Sequence, residues 1–325
     1  MRKISFLLFT LLALLYVTNA SALIVNDTFT RDGNTYKVTQ MIPGTVPGTT
    51  KTYNVAFVSS TNTTVNIPAT VTDPNSQYTF NVTAIANNST VPNATSVTMP
   101  NTIVSIEANA FKDGHITSIT IPKSVTEIKS GAFGQMSYLT AINVDAANPN
   151  FRSDNGVLIE KKDSKEWVAA YPLARPDAEY TVPEGVYGVY TNAFQRAANL
   201  TKITLPASLK ESPSTAEFNG YTSAQNLREI AVAAGNTAFK SVDGVLLSAD
   251  GKKLIAYPNG KAGSPSTNPA YQGVTGQPNA SVYKVPDGVE SIDQAAFAQV
   301  NGLTAIELNG VKKLAKGAFD KAVKL

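Results

Sequence analysis

The sequence predicts a mostly β solenoid: short strands joined by turns and brief 3-10 or helical segments, with two β-hairpin insertions and an N-terminal β cap. Three observations predict it. A sixteen-residue pattern recurs, as "SVTMPNTIVSIEANAF" at 96–111 and "SITIPKSVTEIKSGAF" at 118–133. Adjacent copies fall 22 or 23 residues apart. Each copy opens on alternating apolar residues, the pattern of a half-buried strand. A unit this short cannot cover its own apolar face, so neighbouring units must stack.

Residues 1–22, "MRKISFLLFTLLALLYVTNASA", run from Arg2 and Lys3 through an apolar stretch to small residues at Ala20-Ser21-Ala22. That order is the pattern of a secretory signal peptide, and it is set apart from the fold. The stretch is short for a membrane span, and nothing comparable follows it. The expected mature chain starts near Leu23, outside the cytoplasm, secreted or at the cell surface. It is expected to be a monomer without membrane insertion. The chain has no cysteine, hence neither disulfides nor a lipid-accepting thiol. Of 27 Lys and Arg against 24 Asp and Glu, two lie in the leader, so the mature charge is close to neutral and argues against a nucleic-acid partner.

Residues 23–90 are rich in Thr, Asn and Val, with alternating runs such as "TYNVAFVS" and "TTVNIPATVT". They read as strands that cap the first repeat, which would otherwise expose apolar surface and a free edge. "YTFNVTAIANNST" ends like a repeat that has lost its Ala-Phe pair.

The repeats occupy 91–325. Aligned on Pro100, Pro122, Pro183 and Pro286, the third position is Ile103, Val125, Val186 and Val289, and the sixth is Ile106, Ile128, Val189 and Ile292. Ala-Phe pairs follow at 110–111, 132–133, 193–194 and 296–297. A copy ending in Ala318-Phe319 has Leu308 for the proline, and a copy from Pro206 shifts its phenylalanine to Phe218. The proline cannot donate to a ladder, so each strand ends there. The apolar residues beyond it belong to the core.

A unit of this form, L-x-x-I-x-I-P-x-x-V-x-x-I-x-x-x-A-F, resembles the BspA-like class of leucine-rich repeats found in secreted and surface proteins of Bacteroidetes and some mucosal parasites. The resemblance implies attachment or recognition, not catalysis. It speaks strongly for the fold and weakly for a ligand.

Two longer segments break the rhythm and match each other, at 148–172 and 236–260. They align Phe151 with Phe239, Gly156 with Gly244, and Tyr171-Pro172 with Tyr257-Pro258. Both read as β-hairpins projecting from a long repeat. The second is followed by a Gly-, Pro- and Ser-rich stretch at about 261–281, read as a surface loop.

Catalytic chemistry finds few parts here. His115 is the only histidine, in a turn before a repeat strand. Without cysteine a Cys-His site is impossible, with one histidine a multi-histidine metal site is excluded, and a Ser-His-Asp site would have to use His115. No Walker glycine loop, G-x-S-x-G elbow or H-E-x-x-H is present. The triplets at Asp154-Asn155-Gly156 and Val242-Asp243-Gly244 lack a calcium ligand series and suit hairpin turns. The expectation is a non-enzyme without catalytic residue, metal or cofactor.

Binding is expected on the strand positions that alternate with the core. The candidate face is Thr98, Thr117, Thr120, Asn143, Lys202, Thr204, Arg228, Glu229 and Glu307. Threonine also simply suits an exposed sheet. The partner expected is an extracellular protein or glycoprotein. The alternative is a glycan taken up for nutrition, with Trp167, Tyr171 and Tyr257 as stacking rings, unless those rings pack against the solenoid.

Overall fold

The computed structural model describes residues 23–42, 52–211, 224–265, 281–300, 302–322 and 324–325. Residues 1–22, read above as a leader, Phe218 and most of the stretch 261–281 expected to form a loop lie outside them. Turns, and no helical segments, connect the strands among the described residues.

The regular repeat delivers two strands, one to each wall. The front wall holds the strand before the proline: Ser96–Thr98, Ser118–Ile121, Ala141–Val144, Glu179–Thr181, Lys202–Leu205, Glu229–Val232, Ser281–Lys284 and Ala305–Glu307. Neighbours pair in parallel, with Ile142 beside Ile119 and Ile230 beside Ile203. These isoleucines point inward and are buried, which is the period-two alternation of a strand covered on one side. The back wall holds shorter strands such as Ser105–Ile106, Glu127–Ile128, Val186–Val189, Ser291–Ile292 and Lys313–Leu314.

Between the walls lie the residues that the proline alignment places there. Ile103, Val125, Val186 and Val289 are buried, as are the Ala-Phe pairs at 110–111, 132–133, 193–194 and 296–297. Full burial of one such Val, Ile or Phe side chain stabilises by about 1.5–3 kcal/mol. Ile106, Val189 and Ile292 are buried too, but Ile128, at the same repeat position, is only partly covered.

At the N-terminal end, Thr28–Arg31, Asn34–Ile42 and Thr52–Ser60 form an antiparallel meander. Thr79–Thr90 pairs in parallel with Thr52–Ser60 on one side and with Ser105–Ile106 on the other, so the cap runs directly into the back wall. The rings of Phe57 and Phe111 lie 6.0 Å apart, and cap and first repeats share one apolar cluster. Ser89 stands where a repeat would carry its buried pair, and its Oγ accepts the Phe111 N–H at 2.9 Å.

The insertions do not project. Each is a three-stranded antiparallel unit built into the stack: Phe151–Asp154, Val157–Lys162 and Lys165–Ala170, then Phe239–Val242, Val245–Ser248 and Lys253–Ala256. The third strand of each serves as a back-wall rung for the next repeat. The first turn of each reaches the front wall, where Ile142 N–H donates to Gly156 O and Ile230 N–H to Gly244 O. The middle strands are apolar on both faces, with Val157, Leu158, Ile159, Val245, Leu246 and Leu247 all buried. Two-sided burial is the reason they cannot be surface projections.

Candidate functional site

On the front wall Thr98, Thr117, Thr120, Asn143 and Arg228 are exposed, and Lys202, Thr204, Glu229 and Glu307 are partly so. Register places Asn143 beside Thr120 and Glu229 beside Lys202. Glu307 lies further along, paired with Lys284. Lys202 Nζ meets Glu229 Oε1 at 3.0 Å, and that hydrogen bond raises the lysine above its ordinary pKa.

The threonines opening these strands have a role that sheet preference alone does not describe. Thr140 Oγ1 donates to Thr117 O at 2.9 Å, Thr201 Oγ1 to Ala178 O at 2.9 Å, and Thr304 Oγ1 to Ser281 O at 3.3 Å. Each hydroxyl caps a carbonyl on the preceding rung. His115 packs on the Tyr138 ring, with centroids 4.7 Å apart.

The three proposed stacking rings separate. Tyr171 is 3% exposed and Tyr257 0%, so neither can present a face to a sugar. Both replace the repeat alanine in the core: Tyr171 N–H donates to Ala193 O and Tyr257 N–H to Ala296 O, as Ala110 N–H does to Ala132 O. A large ring fills the space because the insertion brings no phenylalanine of its own at this point. Burial pushes Tyr171 up to about 12. Trp167 remains partly exposed, lying flat on Tyr190 at 5.1 Å and edge-on to Tyr187 at 5.5 Å. Gly188 leaves room for it, since a Cβ there would strike the indole.

A feature not anticipated from the sequence lies on the back wall. The cap-side sheet ends at Glu127–Ile128, which pairs with Ser105–Ile106 and has no strand on its other side among the described residues. The next back-wall sheet is the first insertion, and a cleft of about 660 Å³ separates the two. Its apolar lining includes Ile128, Phe133, Phe151, Leu158, Ala169 and Ala170. Its polar lining includes Glu127, Lys129, Glu160, Lys161, Lys162 and Asn192. The Asn192 Oδ1 is buried without a hydrogen-bond partner. Glu160 hydrogen-bonds the Tyr190 hydroxyl, whose pKa is raised chiefly by burial. The signal available in sequence was the break in repeat rhythm at 148–172, which marks where successive back-wall rungs stop pairing.

Residues 50–154, 178–242 and 276–325 match the BspA type leucine rich repeat region, in six copies. The chain belongs to this family. The pneumococcal vaccine antigen PcpA is similar in structure, with 20% identity over 93% of this chain and 70% of that one and a TM-score of 0.46. A leucine rich cell surface protein from Faecalibacterium prausnitzii shows 16% identity over 92% and 93% of the two chains, with a TM-score of 0.44. A leucine-rich repeat protein from Eubacterium ventriosum shows 16% identity over 91% and 94%, with a TM-score of 0.42. No curated protein matches.

Among the described residues no group of three His, Cys, Asp or Glu could hold a metal ion. No helix among them is long and apolar enough to cross a membrane.

Proposed function

We propose that this BspA-type chain is an exported recognition protein without catalytic activity, which binds proteins on host or neighbouring-cell surfaces. The observation that carries this reading is the front wall. Its polar side chains stand on parallel rungs whose threonines are bonded from rung to rung, so the surface is broad and needs little ordering when a partner binds. Family membership and the leader pattern support an extracytoplasmic setting.

The glycan reading keeps one supporting observation, the partly exposed Trp167 stacked on Tyr190. The test is binding of residues 23–325 to immobilised mucosal and matrix glycoproteins, before and after enzymatic deglycosylation. Binding that survives is the expected result. Binding lost on deglycosylation and on Trp167→Ala would replace it with glycan recognition, and capture of nothing would remove both.

A further inference from the structure

We propose that the back-wall cleft takes an extended acidic polypeptide segment, which adds as a strand to the open edge at Ile128. The inference rests on the recognition reading and names a site for it. In a parallel ladder alternate residues turn their N–H and C=O groups to opposite neighbours. Glu127 N–H donates to Val104 O and Lys129 N–H to Ile106 O, both towards the cap side. Ile128 therefore turns its own N–H and C=O into the cleft. A donor and an acceptor on the same strand-edge residue match the main chain of an extended peptide, not a sugar ring.

The remaining walls agree. Ile128, Ala169 and Ala170, all partly exposed, offer apolar surface, and the buried Asn192 Oδ1 awaits a donor. The lining carries three lysines against two glutamates. Lys129 is paired with Glu127, and Glu160 is held by Tyr190. Lys161 and Lys162 are exposed and form no ion pair among the described residues, so the charge left to offer a partner is positive.

The experiment begins with the free protein. Residue-resolved hydrogen exchange should show the Ile128 amide exchanging at least about tenfold faster than those of Glu127 and Lys129. Peptides of about ten random residues displayed on phage are then selected on residues 23–325, with counter-selection on the exposed double variant Lys161→Glu/Lys162→Glu. The expected outcome is enrichment of peptides alternating Asp or Glu with β-branched residues. By fluorescence anisotropy their affinity should fall about tenfold in the double variant. Ile128→Pro, which deletes the cleft-facing N–H along with the isoleucine side chain, should weaken binding as well. Added peptide should slow exchange at Ile128.

Failure to enrich any peptide, affinity unmoved by the charge reversal, or unchanged exchange at Ile128 would each overturn the proposal. Glycoprotein capture that is equal in the native chain and the double variant would leave the recognition reading standing and remove the cleft from it. Peptide binding without glycoprotein capture would do the reverse.

Discussion

Asn148 shows how a single side chain can hold an insertion in the stack. It is buried, its Nδ2 donates to Pro122 O at 2.8 Å and Val125 O at 3.1 Å, and its Oδ1 accepts Asn150 N–H at 2.8 Å and Phe151 N–H at 2.9 Å. Asn236 repeats the arrangement with Pro206 O, Leu209 O, Ala238 N–H and Phe239 N–H. Every polar valence of the amide is used, so Asn148→Ala leaves buried main-chain groups unpaired. Urea unfolding should show a loss on the order of 3 kcal/mol. Thr201→Val, which removes one hydroxyl cap from a partly exposed rung, should cost about 1 kcal/mol. The asparagines were visible in the alignment of the two insertions, as the first residues of "NPNF" and "NTAF". Their purpose was not legible, because the carbonyls they satisfy lie more than twenty residues upstream.

At the scale of the element, the insertions turn on two glycine pairs. Asn155 and Gly156 both have positive φ, 46° and 88°, as do Asp243 and Gly244 at 49° and 74°. These are two-residue hairpin loops of the kind that Asn-Gly and Asp-Gly favour, and that much was readable from the triplets. What sequence did not show is the crowding: a Cβ on Gly156 would sit 3.0 Å from Ala141 Cβ, whereas one on Gly185, with φ of 93°, meets nothing within 4 Å. Gly156→Ala should therefore destabilise by more than the roughly 1 kcal/mol expected of Gly185→Ala, with both measured by thermal unfolding.

The first insertion is also tied across its middle strand. Arg152 Nη2 meets Glu166 Oε2 at 2.6 Å and Arg152 Nε meets Oε1 at 2.9 Å. The arginine's hydrogen bonds hold Glu166 below the ordinary 4.5. A depressed carboxylate contributes stability that is present above its unfolded value and lost as pH falls through the folded one. Urea midpoints followed from pH 7 to 3 should thus decline below about 4.5, and Glu166→Gln should flatten that decline. The cleft belongs to the same scale. Ile128 satisfies the repeat pattern, yet it is half-covered, because burial at that position depends on a neighbouring rung that the insertion displaces. A motif states what each unit contains, and only the stack states which unit lacks a neighbour.

At the scale of the whole molecule, the core among the described residues is three apolar clusters, and the insertions staple them. Leu158 packs in the first cluster, while Val157 and Ile159 on either side of it pack in the second. Leu246 joins the second, while Val245 and Leu247 join the third. Buried tyrosines report on each: Tyr36 in the first, Tyr171 and Tyr180 in the second, Tyr257 and Tyr283 in the third. Burial raises the pKa of all five above 10.0, and brings Tyr171 to about 12. An unfolded phenol ionises near 10, so above that pH the unfolded chain binds fewer protons and stability falls as pH rises. Beyond the share contributed by exposed rings such as Tyr78 and Tyr138, phenolate absorbance should therefore climb only as circular dichroism is lost. In a solenoid each unit holds its neighbours through nearest-neighbour contacts alone. With both staples intact the two signals should change in one step. Leu158→Ala removes the first cluster's share of its staple, and the absorbance rise should then split, with Tyr36 ionising in a separate, earlier phase. A single step in that variant would show that the clusters are coupled through the parallel ladders and not through the insertions.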